Sequence, residues 1–314
     1  MRRIAIVAAT IAAIAGTTAA FAADTAPSTP APARDPLLGT WALMIDGAYA
    51  GPVASVDGCS LTAEVLQERP GPDNVAKKNS GNPGPAPCSI EVGLGMSQAF
   101  HMLLKRSMAN PESPRNMQLV RVDGKPYGLD LLNAVITALS LPKLDAADKN
   151  PAFMTISLAP EALRYAPAPS VPKQAIVTPA RGFVPATLSA QLDGARVDAT
   201  SIGPWKVELP KRGDSIGSVR DGMGQPTPGE IGNVALRVPE PRIATLDGFM
   251  RSFLIDGKTA DSDERTLVVS LGDVKSAVDL TFEHTGLVKG DLAPRADGAR
   301  SYELYAERVS VAAR

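Results

Sequence analysis

The chain has 314 residues, 32 Lys+Arg against 33 Asp+Glu, 2 His, 2 Cys and 4% aromatics, with 28 Pro and 27 Gly. A formal charge of -1 gives no basic footprint for nucleic acid. So few Cys, His and rings argue against a structural zinc centre and against stacking platforms for bases or sugars, while the length suffices for about two domains.

The start is cationic (Met1-Arg2-Arg3), then apolar and uncharged from Ile4 to Gly16, with small residues around Ala20-Phe21-Ala22. This pattern predicts a secretory signal peptide over 1–22 and a periplasmic or secreted mature chain. The apolar run is shorter than the ~20 residues a membrane span requires, so no transmembrane segment is expected. Residues 23–36 contain four Pro and no apolar periodicity, which reads as a Pro-rich linker.

The first block, 37–164, opens with the alternating run Trp41-Ala-Leu-Met-Ile-Asp46-Gly47 and continues through an extended stretch, Val56 to Val65. Cys59 and Cys88 are the only cysteines. In an oxidising compartment they are expected to pair, the alternative being two buried thiols. Closing that loop would contribute ~3–4 kcal/mol. The polar loop Glu68–Pro87 follows the extended stretch, then a strand at Cys88–Val92 and a helix over Met96–Met108. That helix gathers Met96, Phe100, Leu103, Leu104 and Met108 on one face. Thr155–Leu158 alternates as a strand.

A second Pro-rich segment, 165–181, separates this block from the next, 182–314. The second block repeats the order of the first. A run ending at Asp193-Gly194 is followed by an extended stretch Ile202–Leu209 and a long polar loop Lys211–Gly229. A strand at Asn233–Val238 and a helix over Ile243–Ile255 come next, at offsets near 146–147 residues throughout. Leu267–Leu271 and Tyr302–Val309 alternate with period two. Asp-Gly occurs eight times, and several of these pairs are expected to form tight hairpin turns. The predicted fold is therefore mainly β: two tandem β barrels or sandwiches, each carrying one main helix.

Candidate chemistry is sparse. His101 lies on the first helix, and strand alternation sends Glu283 and His284 to opposite faces, so neither histidine has a nucleophile or carboxylate partner readable from sequence. Gly93-Leu-Gly95 reads as a turn, Asp145 and Asp148 as a solvated loop, and Arg212-Gly213-Asp214 as an ordinary exposed loop. No catalytic residue, metal site or cofactor is predicted, and the chain is not expected to be an enzyme.

Trp41-Ala-Leu-Met-Ile-Asp46-Gly47, followed by Ala50-Gly-Pro-Val-Ala-Ser-Val-Asp-Gly58, resembles the opening of the tail tube proteins of contractile phages and of the type VI secretion tube. Leu132-Asn-Ala134, Pro142–Ala147 and Thr155–Glu161 are similar to that family's closing hairpin, and the second block is similar through its parallel order and Tyr302–Val309. The resemblance implies a small barrel with a flanking helix and no active site. It also implies edge-to-edge association into hexameric rings, with the long loop of each unit touching its neighbour. Arg69, Lys77 and Lys78 in the first loop, and Arg212, Asp214 and Arg220 in the second, are then the candidate assembly residues. A tandem chain would close a ring as a trimer. The expected function is a structural or assembly protein of the cell envelope, partnered by itself or by another envelope protein; the alternative is a periplasmic ligand- or protein-binding module.

Overall fold

The computed structural model describes residues 40–67, 78–109, 114–123, 127–166, 173, 179–209, 229–273 and 276–313. The predicted signal peptide, the first linker and most of 165–181 lie outside the described residues.

The structure is mainly β. Its first half holds β1 (Trp41–Ile45), β2 (Ala48–Val53), β3 (Ser55–Gly58), β4 (Leu61–Thr62), β5 (Val65–Gln67), β6 (Lys78–Ser80), β7 (Gly84–Pro85) and β8 (Cys88–Val92). Helix α1 (Gln98–Ala109) precedes β9 (Arg115–Arg121), β10 (Gly128–Leu141), β11 (Leu144–Asp145), β12 (Met154–Ala159) and β13 (Ala162–Ala166). The second half holds β14 (Ser189–Leu192), β15 (Ala195–Val197), β16 (Ser201–Ile202), β17 (Trp205–Glu208), β18 (Glu230–Ile231) and β19 (Val234–Pro239). Helix α2 (Ala244–Met250), β20 (Arg265–Asp273), β21 (Ser276–Gly290) and β22 (Ala299–Ala313) complete it.

Two of the Asp-Gly pairs make the hairpins expected of them. Asp46 and Gly47 take φ of 48° and 80° between β1 and β2, and Asp193 and Gly194 take 48° and 78° between β14 and β15. Both central residues in the left-handed region give the turn whose twist matches paired strands. Each turn is braced alike by a neighbouring strand. Arg115 reaches Asp46 at 3.4 Å and Arg265 reaches Asp193 at 2.7 Å. The Asp46 and Asp193 amides donate to the Asn116 and Thr266 carbonyls. Asp247-Gly248 lies inside α2, within the helix expected over Ile243–Ile255, where apolar Leu246, Phe249 and Met250 at helical spacing outweigh a local turn preference.

Ser97 starts α1, its Oγ accepting from the Phe100 amide at 3.3 Å. The helix buries Phe100, Leu103 and Leu104 as its periodicity predicted. Helix α2 begins one residue later than the predicted 243 and widens into a π-helical turn over Arg251–Ile255. Beneath α1, Gly51 sits at φ 144°, and a Cβ there would come within 2.9 Å of the Met96 backbone, so only glycine lets β2 approach the helix start.

One sheet runs β2-β1-β9-β10-β12-β8-β3, with β13, β17 and β18 attached through β10; the other runs β11-β16-β19-β22-β21-β20-β14-β15. The pairings recur between halves. Ile90 faces Ile156 as Leu236 faces Tyr302, both partners displaced by 146 residues. Asn133 and His284 both take positive φ, 48° and 51°, where β10 and β21 bulge against β9 and β20. The described residues pack as one unit, and a continuous buried core threads both halves, with Trp41, Phe100, Phe183, Phe282 and Tyr302 among its largest fully buried members.

Candidate assembly surface

The most informative feature is a joint between halves. Past the bulge at Asn133, β10 leaves β9 and pairs with β17 instead: Ala138 faces Glu208, Leu139 faces Val207, Ser140 faces Lys206 and Leu141 faces Trp205. The Leu209 amide extends the ladder by donating to the Thr137 carbonyl at 2.9 Å. Alternation explains why the strands stay together, since Leu139, Leu141, Trp205, Val207 and Leu209 are all buried there. Trp205 stacks edge-on against Phe282 at 5.0 Å and donates Nε1–H to the Gly232 carbonyl at 2.8 Å. A shorter ladder, β11 on β16, adds Leu144 opposite Ile202. A sheet edge in the first half is thus covered by a hairpin from the second.

That hairpin, β17–β18, has a counterpart. Val207 and Glu208 face Ile231 and Glu230, and Leu61 and Thr62 face Pro85 and Gly84 in the same register 146 residues earlier. The counterpart, β4–β7, forms a separate two-stranded sheet that β5–β6 continues outward. Its Leu61, Val65 and Leu66 side chains are 60%, 61% and 48% exposed. The stretch expected as the loop Glu68–Pro87 is therefore strand at β6 and β7.

Lys78 is on β6 and exposed. Arg69, Lys77, Arg212, Asp214 and Arg220 lie outside the described residues, so nothing is assigned to them. Cys59 and Cys88 are joined by a disulfide, with Cα atoms 4.4 Å apart. Cys88 faces Gly58 across β3 and β8, so the bond fastens the root of the β4–β7 hairpin. The second half carries Trp205 and Val234 at the corresponding positions, where packing replaces the covalent link.

The titratable groups form one cluster that sequence reasoning missed. Strand alternation was expected to set His284 and Glu283 on opposite faces, and the sequence named no other partner. His284 takes positive φ at the bulge of β21, and its Nδ1 lies 3.2 Å from Glu264. The Tyr305 hydroxyl donates to the same carboxylate at 2.7 Å. Burial, then that hydrogen bond, pushes the Tyr305 phenol up to about 12. Glu264, His284 and Glu307 each offer a ligand atom within 4.8 Å of the others. Such a trio matches the donor types of a divalent-ion site, although Tyr305 and His284 already occupy the Glu264 oxygens. Elsewhere, burial lowers the pKa of His101, whose ring meets Phe100 edge-on at 5.5 Å.

Two open grooves, each of about 560 Å³, run along the seam between halves. One runs from Lys105 and Met108 on α1 to Glu307–Ser310 on β22, and the other from Glu91 to Lys206. Both are lined by mixed polar and apolar groups rather than by a preformed apolar pocket with a few convergent polar groups. No helix among the described residues is long and apolar enough to cross a membrane.

No protein-family model matches the chain, and no curated protein matches it. Among solved structures, a sheath/tube terminator of an extracellular contractile injection system (PVC) is 16% identical, with a TM-score of 0.35, covering 42% of this chain and 96% of that one. A chain from the anti-feeding prophage baseplate is 20% identical, with a TM-score of 0.34, covering 44% of this chain and 96% of that one. A chain from the anti-feeding prophage tube-terminating cap is 17% identical, with a TM-score of 0.36, covering 46% of this chain and 99% of that one.

Proposed function

We propose that this chain is a non-enzymatic structural subunit, two tube-like β units in tandem, that assembles with itself through exposed sheet edges. One observation carries the reading: the β17–β18 hairpin of the second half covers the end of β10 in the first, a strand-edge joint between two units of matching register. The recurrence of strand pairs at 146 residues supports the tandem relation, as do the paired Asp-Gly turns and the paired bulges. A chain that already links two units through one such joint is suited to a ring of six units made by three chains. The sequence resemblance to contractile tail tube proteins points the same way. The signal-peptide pattern of residues 1–22 supports a periplasmic or secreted assembly, a compartment in which a Cys59–Cys88 bond would persist.

Mass photometry of the purified chain over a concentration series tests the proposal. A population at three chain masses is expected. A single chain mass at every soluble concentration would overturn it.

A further inference from the structure

We propose that the β4–β7 hairpin of one chain adds as a strand to the outer side of the end of β21 in a second copy, reproducing between molecules the β17-on-β10 joint inside each. The inference rests on the assembly reading above and names its partner, surface and register.

The donor is already formed. Residues 61–62 and 84–85 are paired as 207–208 and 230–231 are, yet no strand among the described residues pairs with the outer edge of β4. The acceptor is formed as well. The bulge in β10 between Ile136 and Ala138, opposite β12, recurs in β21 between Leu287 and Lys289, opposite β22. Leu139 faces Ile156 as Gly290 faces Tyr302, a displacement of 151 residues on one strand and 146 on the other. Pairing of β21 with β20 stops at Thr285, opposite Arg265, so the outer side of Gly286–Gly290 has no strand partner among the described residues. On β10 the equivalent side is where β17 sits.

These displacements dictate the register. Lys289 falls opposite Thr62, Gly290 opposite Leu61 and Asp291 opposite Ser60, matching Ala138–Glu208, Leu139–Val207 and Ser140–Lys206. The Ala63 amide would then donate to the Val288 carbonyl, as the Leu209 amide does to that of Thr137.

Surface composition is an independent observation. On the acceptor, Val288 and Leu292 are 50% and 74% exposed, whereas Leu141, which corresponds to Leu292, is 4% exposed beneath Trp205. Beyond the end of α2, Leu254 and Ile255 are 43% and 62% exposed. Their counterparts Met108 and Ala109, at the end of α1, line the groove against β17 and β22 of the second half. With Leu61, Val65 and Leu66 on the donor, seven of the ten large apolar side chains most exposed among the described residues lie on these matching surfaces. Scattered exposed apolar residues are ordinary, but a set gathered on complementary edges marks an interface. The occupant is a second copy because this chain supplies both halves of the joint in a register its own interior already uses.

Cysteine cross-linking between two single variants, Thr62→Cys and Lys289→Cys, decides the question in the otherwise intact oxidised chain. Mixing them under mild oxidation is expected to give a covalent two-chain band that neither variant gives alone. A Val184→Cys control, on an exposed site elsewhere, should give none with Thr62→Cys. Leu61→Lys should leave the circular dichroism melt unchanged and weaken association by roughly tenfold or more. Oligomers in mass photometry without the Thr62–Lys289 link would overturn this joint and leave the assembly reading standing. A chain that stays single at every concentration would overturn both.

Discussion

Replacing Trp205 by alanine tests whether the two halves are held together as the packing suggests. The side chain is 3% exposed, stacks on Phe282 at 5.0 Å, sits opposite Leu141 in the neighbouring half and hydrogen-bonds the Gly232 carbonyl at 2.8 Å. Truncating a buried tryptophan costs about 3–5 kcal/mol. The edge-on aromatic pair is lost with it, and the Gly232 carbonyl is orphaned, so about 4–5 kcal/mol is expected. That is a large share of the ~5–15 kcal/mol that holds a typical domain. Trp205→Phe keeps most of the apolar contact and removes only the donor, so it should cost about 1–2 kcal/mol. Urea unfolding followed by far-ultraviolet circular dichroism measures both. The chain has 2 Trp, so in Trp205→Ala the fluorescence comes from Trp41 alone and reports the first half. Fluorescence and dichroism transitions that separate in the variant but coincide in the parent would show the halves uncoupling. A loss below about 1 kcal/mol for Trp205→Ala, or equal losses for both variants, would refute the account of the joint.

Two further outcomes follow from the same geometry. The unreduced chain should show no reactive thiol in denaturant, and Cys59→Ala with Cys88→Ala should cost about 3–4 kcal/mol in urea unfolding, chiefly through the freed unfolded chain; two thiols before reduction would contradict it. Tyr305, raised to about 12 against an ordinary 10.0, binds its proton longer in the folded state than in the unfolded state. Its contribution is therefore complete below pH 10 and is lost as pH climbs toward 12. Burial raises Tyr49 and Tyr302 as well, so ultraviolet titration should show several late-ionising phenols, one of which Tyr305→Phe removes; an unchanged late phase in that variant would refute the burial argument.

Much of the local structure was legible in the chain. Asp46-Gly47 and Asp193-Gly194 announce their hairpins because both residues tolerate positive φ. The α1 face Phe100, Leu103 and Leu104 follows from helical spacing, and the two cysteines pair as the export pattern suggested. Other features were not visible. The stretch expected as the loop Glu68–Pro87 is strand at β6 and β7, because so polar a segment shows no alternation to announce them. The partner of His284 is Glu264, twenty residues earlier in the chain, and neither that approach nor the bulge at His284 is spelled by any residue type.

What the sequence determined by itself is the set of short-range choices: where strands alternate, where the chain turns, which helix face is apolar and which thiols are available to pair. What only the tertiary structure decided is which edge meets which. Pairing β17 with β10 depends on where a bulge frees one strand from its first neighbour, and Leu141 and Trp205 meet across 63 residues of intervening chain. Strand pairing at that separation is governed by the geometry of the sheets, whose backbone donors and acceptors are alike in every residue.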